Sequence, residues 1–225
     1  MSKPSLKLCS LALATALAGM ASPAAAGSIP SLSIVLHVCD DVGIQTNLVT
    51  RAKAEMSRIY RDVGIDVAWI SDASLIADAD APQPAASSDR HLTLVILCRE
   101  LTEEMTVDPT ALGGAVGTRE YRGQIAYVFY DRVEYISRTF LNLSREPGTD
   151  DMYNVILLAH AMAHEVGHLL LPYGHSPTGL MRAEWDARDM RLAMDRRLNF
   201  TSEQAALIRG ELLTQVADTR PPASN

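Results

Sequence analysis

The sequence is poor in cysteine and carries no excess of positive charge. Three cysteines among 225 residues, none in a CxxC pair, exclude a disulfide-stapled mini-protein, a zinc ribbon and a CxxC redox centre. Lysine and arginine number 20 against 27 acids, a formal charge of −7. That balance makes the chain a poor candidate for sequence-independent nucleic-acid binding, which needs a basic face, and for docking on an anionic membrane. Beyond the N-terminus no apolar run reaches the length of a spanning helix. The glycine-rich stretch Leu112–Gly117 has neither the lysine of a phosphate loop nor G-x-G-x-x-G spacing. Asp72, Asp78, Asp80 and Asp89 follow no EF-hand pattern, so they read as a solvated loop. No internal repeat is present. What remains is a chain 48% hydrophobic and 21% charged, enough for one sizeable core. Its six histidines are unevenly spread, with His160, His164, His168 and His175 falling within sixteen residues.

Residues 1–26 read as a secretory signal peptide. Lys3 and Lys7 give a positive start, Leu8–Ala21 is uncharged and apolar or small, and Pro23-Ala24-Ala25-Ala26 supplies an A-x-A cleavage site. The apolar run is too short to anchor comfortably. The expectation is a secreted or periplasmic protein beginning at Gly27, not bound to the membrane. Loss of two lysines and no acid takes the formal charge to −9. Export leaves Cys39 and Cys98 as an isolated pair, each closing an expected strand (Ser33–Cys39 and His91–Cys98). A disulfide between them is expected.

Strand patterns recur at Ile34–Val38, Ile65–Ile70, His91–Leu97, Leu112–Gly117 and Gln124–Tyr130. Leu48, Ala52, Met56, Ile59 and Val63 recur at helical spacing, so Gln45–Arg61 reads as an amphipathic helix ended by Gly64. Strand, helix and strand in that order imply a parallel pair with a crossover. Residues 71–90 read as a surface loop, Asp131–Leu141 as a helix and Asn142–Thr149 as a loop. A helix begins at Asp150 and runs through the histidines until Pro172 stops it. A last helix, Thr201–Gln215, opens with Thr201 and Gln204 as a capping box, and 217–225 reads as a flexible tail. The fold class is therefore α/β (α+β), with a twisted mixed sheet.

The chemistry is concentrated in His164-Glu165-Val166-Gly167-His168. Histidines at i and i+4 leave a helix on one face, so both imidazoles reach one zinc ion. Glu165 lies just off that face, where it serves as general base toward a water activated by the metal. A catalytic zinc takes three protein ligands and keeps a fourth position open. His175 is the nearest third ligand, beyond the turn Pro172-Tyr173-Gly174, with Gly174 giving the chain freedom to swing back. Glu184, Asp186 and Asp189 are alternatives further on. His160, one turn upstream, reads as a packed histidine, too far along the helix to share the ion.

His164–Met181, HEVGHLLLPYGHSPTGLM, resembles the metzincin clan of zinc endopeptidases, and within it the matrixins, as a small secreted member of bacterial type. Those enzymes carry HExxHxxGxxH, often a following serine, and a tight methionine-containing turn beneath the zinc. The resemblance implies one zinc ion on His164, His168 and His175, Glu165 as catalytic base, Ser176 as the following serine and Met181 as the turn methionine. It departs at Leu171, where the family has glycine, and the third histidine comes one residue late. The order of elements fits as well, which makes 27–216 a metzincin-like catalytic domain. The resemblance further implies a peptide or protein substrate extended along the edge segment Leu112–Gly117, and pocket walls at Arg182, Glu184 and Trp185, where Trp185 reads equally well as core. No propeptide fits before the first strand, so no cysteine-switch latency is expected, and a monomer is expected. The function implied is a secreted zinc metalloendopeptidase. Two other classes compete: a zinc hydrolase acting on a non-protein amide such as cell-wall peptide, and a non-catalytic zinc-binding interaction module. The intact Glu165 argues against the latter.

Overall fold

Alternation sets the first strand: Leu32, Ile34, Leu36 and Val38 of β1 (Leu32–Asp40) point into the core. The computed structural model describes residues 32–71, 90–116, 123–144, 150–172 and 174–218. The expected signal peptide, most of the 71–90 loop, Tyr173 and residues 219–225 lie outside them. After β1 come α1 (Thr46–Arg61), β2 (Ile65–Ser71), β3 (Arg90–Leu97), α2 (Arg99–Glu104), β4 (Gly113–Val116), β5 (Ile125–Phe129), α3 (Tyr130–Ser144), α4 (Asp150–Leu170), α5 (Ala187–Met194) and α6 (Ser202–Asp218).

The strands form one mixed sheet in the order β2-β1-β3-β5-β4. β1 runs parallel to both β2 and β3, and β3 runs parallel to β5. β4 alone is antiparallel, and it forms the edge. The expected crossover pair is thus β1–α1–β2. α1 buries Leu48, Ala52, Met56 and Ile59, and its Tyr60 hydroxyl donates to the Ala163 carbonyl of α4 at 3.1 Å. α4 packs against α1, α3 and the strands β3, β4 and β5. Its residues Val155–Val166 are almost wholly buried, as a helix apolar on nearly all sides must be.

The structure corrects several expectations. Cys39 and Cys98 are not joined by a disulfide. In the β1–β3 register Cys39 stands opposite Val95, so Cys98 lies three residues further along. At about 3.3 Å per residue that offset is about 10 Å, beyond the reach of a disulfide. Two short helices were not foreseen. α2 occupies the polar stretch after β3, and α5 follows the segment that carries His175 and Met181. α3 continues to Ser144, into the expected loop, and α6 continues to Asp218, into the expected tail. Among the described residues, no helix is long and apolar enough to cross a membrane.

Candidate metal centre

Helix geometry brings His164 and His168 together on α4. Their Nε2 atoms are 3.0 Å apart, with ring planes at 80°. His175 returns from beyond the helix end, with its ring centroid 4.8 Å from that of His168 and 5.4 Å from that of His164. One ligand atom from each of the three lies within 4.8 Å of the others. The competing acids are committed elsewhere. Asp186 caps α5 by accepting from the Arg188 and Asp189 amides. The buried Asp189 accepts from the Asp186 amide and from Arg182, whose guanidinium also reaches Asp186 at 3.1 Å. Glu184 is exposed and lines the neighbouring cleft. Among the described residues, the three histidines are the group of three or more that can share an ion.

The segment beneath them is held from both sides. His164 Nδ1–H donates to the Leu180 carbonyl at 2.8 Å, which leaves Nε2 as the lone-pair nitrogen. Trp185 Nε1–H donates to the same carbonyl at 3.1 Å, and its ring meets His164 edge-on. Trp185 is therefore both cleft wall and packing partner. Ser176 N–H donates to the Met181 carbonyl at 2.8 Å, closing the turn. Gln204 Nε2–H donates to Ser176 Oγ at 2.8 Å. Gly174 does not adopt a left-handed conformation; the glycine the turn requires is Gly179, with φ of 75°. A Cβ there would also press on Thr201 and on the Asn199 carbonyl.

Two glycines let side chains reach their places. A Cβ on Gly167, between His164 and His168 in the chain, would lie 2.6 Å from Met181 Sδ, so the fully buried Met181 packs directly under the motif. A Cβ on Gly113 of β4 would collide with the Tyr127 carbonyl and come within 2.5 Å of Glu165 Cγ. Glu165 thus fits between α4 and the edge strand only because position 113 has no side chain.

These groups form the floor of a cleft of about 830 Å3. Leu112–Val116 makes one wall and Arg182–Trp185 the other. Burial holds the His164 imidazole down to a pKa of about 4 and, with its two histidine neighbours, His168 to about 3. Burial pushes the Glu165 carboxyl up to about 8. Imidazoles kept neutral leave ring lone pairs free for a divalent cation, whose charge would in turn favour the ionised Glu165 carboxylate. His160 is fully buried, donates from Nδ1 to the Ile156 carbonyl at 2.7 Å, and takes no part in the cluster.

The chain resembles a number of solved structures. It is similar to the archaemetzincin of Methanopyrus kandleri, with a TM-score of 0.44 and 14% identity over 82% of this chain and 99% of that one. No family model matches the chain, and no curated protein does. The donor set of the cleft therefore stands on its own residues. Sequence reasoning missed two contributors to the centre, the Leu180 carbonyl and the α5 cap. A backbone acceptor leaves no mark in composition. The cap did leave one, since Asp186 and Asp189 stand at capping-box spacing.

Proposed function

We propose that the chain is a secreted zinc-dependent metalloendopeptidase of the metzincin type, matrixin-like in its Ser176 and Met181. The observation that carries this reading is the convergence of three imidazoles and one buried carboxyl at the floor of a cleft walled by an antiparallel edge strand. His164, His168 and His175 would hold the zinc. The ion supplies Lewis-acid polarisation of a carbonyl and lowers the pKa of water. Glu165 takes the proton of the attacking water and returns it to the leaving nitrogen. The Leu180 carbonyl keeps His164 in the tautomer whose Nε2 binds. β4 pairs with β5 on one side and borders the cleft with its residues Gly113–Val116. An extended peptide adds there as a further strand, through backbone hydrogen bonds. That mode favours polypeptide over an isolated amide.

Metal analysis of the purified protein and digestion of a peptide library, with and without chelator, test the reading. Zinc near one equivalent and chelator-sensitive cleavage are expected. Glu165→Gln should keep the metal and lose turnover by about 10²–10⁴-fold. Activity within tenfold of the parent would remove Glu165 from its role, and an untouched library would point to a non-protein amide.

A further inference from the structure

Four of the six histidines lie on or near the metal centre; the other two, His37 and His91, are 54 residues apart in sequence and adjacent in space. β1 and β3 run parallel with Val35 opposite His91 and His37 opposite Thr93. The two imidazoles are therefore diagonal neighbours on one face of the sheet, within reach of each other. His37 Nε2 and His91 Nδ1 are 3.0 Å apart, with ring centroids 5.3 Å apart and planes tilted by 34°. The alternating residues Leu36 and Leu92 are buried in the core, so the pair stands on the opposite face from the core that α4 packs into. His91 is exposed and His37 half-buried, which leaves the pair open to solvent ions.

We propose that His37 and His91 form a second metal site, selective for a borderline divalent transition ion, Cu2+ first and Ni2+ next. Two nitrogens at this separation can both lie about 2.0–2.1 Å from one ion, which sets the angle at the metal near 90–100°. That is a cis pair of a tetragonal complex, with water filling the other positions, the geometry Cu2+ and Ni2+ favour. The same 3.0 Å separates His164 Nε2 from His168 Nε2. There a third imidazole, His175, completes a three-nitrogen set suited to zinc. With two imidazoles and water, affinity follows the order in which Cu2+ exceeds both Ni2+ and Zn2+. Both ligands sit on directly paired strands, so little ordering remains to be done on binding. The ion displaces any proton shared between the facing nitrogens, and that proton leaves to solvent. An ion bound here ties β1 to β3 and acts only on the folded chain, where the two strands are neighbours.

The proposal does not rest on the peptidase reading, and the experiment separates the two. Cu2+ as its chloride is titrated into the full chain by calorimetry, with electron paramagnetic resonance at the end point. The parent should take two equivalents. His164→Ala with His168→Ala should keep one, with a tetragonal signal split by two nitrogens. Adding His37→Ala or His91→Ala to that double variant should weaken the remaining equivalent by about tenfold or more. In the parent background, His37→Ala should leave the zinc content unchanged. Cu2+ should raise the thermal midpoint of the His164→Ala, His168→Ala variant and have no such effect once His91 is alanine. Copper binding at the second equivalent that survives both His37→Ala and His91→Ala overturns the proposal. So does the absence of any equivalent in the His164→Ala, His168→Ala protein when its circular dichroism matches the parent.

Discussion

The Leu180 carbonyl accepts from His164 Nδ1 at 2.8 Å and from Trp185 Nε1 at 3.1 Å, so one backbone oxygen orients both a proposed ligand and a cleft wall. Trp185→Phe keeps the ring and loses the N–H. Zinc affinity measured by competition with a chromophoric chelator should fall several-fold, short of the roughly 10–100-fold expected when a ligand's own partner is removed. His175→Ala should abolish tight zinc binding, whereas alanine at Glu184, Asp186 or Asp189 should leave it nearly intact. The two aspartates are spent on a helix cap and on Arg182, and Glu184 is exposed. Full affinity in His175→Ala, together with loss in one of the acid variants, would remove His175 from the site. Gly113→Ala is a sharper test of the base. The added methyl would press on both the Tyr127 carbonyl of β5 and Glu165, so β4 and Glu165 must shift and turnover should collapse while zinc stays bound.

At the scale of elements, two capping boxes hold the chain that follows the three clustered histidines. α5 begins at Asp186 and Asp189, each accepting the other's backbone amide. α6 begins with Thr201 N–H donating to Gln204 Oε1 at 2.8 Å and Gln204 N–H donating to Thr201 Oγ1 at 3.2 Å. Gln204 does more than cap, because its Nε2 also supports Ser176 beside His175. Asp186→Ala should lower the urea midpoint and leave zinc affinity unchanged. Gln204→Ala should lower it at least as much and also weaken zinc, since the turn carrying His175 loses its brace. Equal zinc affinity in the two variants would show that the brace is dispensable.

For the whole molecule, buried titratable groups set the pH dependence of the metal-free fold. His160, His164 and His168 have native pKa values near 4, 4 and 3, all pushed down first by burial. Below about 6.5 the unfolded chain takes up protons that the native chain refuses, so stability falls as pH drops from about 6.5 toward 4. Glu165 works in the opposite sense, because its native pKa of about 8 lies above the unfolded value. Between about 4.5 and 8 the native state holds a proton that the unfolded chain has lost, so stability falls as pH rises. Three histidines outweigh one glutamate on the acid side. Metal-free protein should therefore be most stable near pH 6.5, and Glu165→Gln should flatten the alkaline limb. Urea midpoints across pH 4–8.5 check both statements. Mass spectrometry of the non-reduced protein should find no bond between Cys39 and Cys98, in keeping with their offset along β1 and β3.

The sequence by itself determined the elements whose physical cause is local. HExxH spacing on a helix set His164 and His168 on one face, the apolar period set α1, alternation set the strands, and Thr201 with Gln204 marked the start of α6. It left open whatever depends on which segments meet. β4 became an antiparallel edge through its pairing with β5. The β1–β3 register separated the two cysteines and brought together two histidines that nothing local connects. The third imidazole was one candidate among several until α5 took Asp186 and Asp189 for its cap. α5 itself lies in a stretch of mixed charge, Ala187–Met194, whose burial comes from docking against α4. Periodicity and caps act over a few residues and are written in order. Register, strand neighbours and the sharing of one carbonyl by His164 and Trp185 arise only when distant segments compete for the same core.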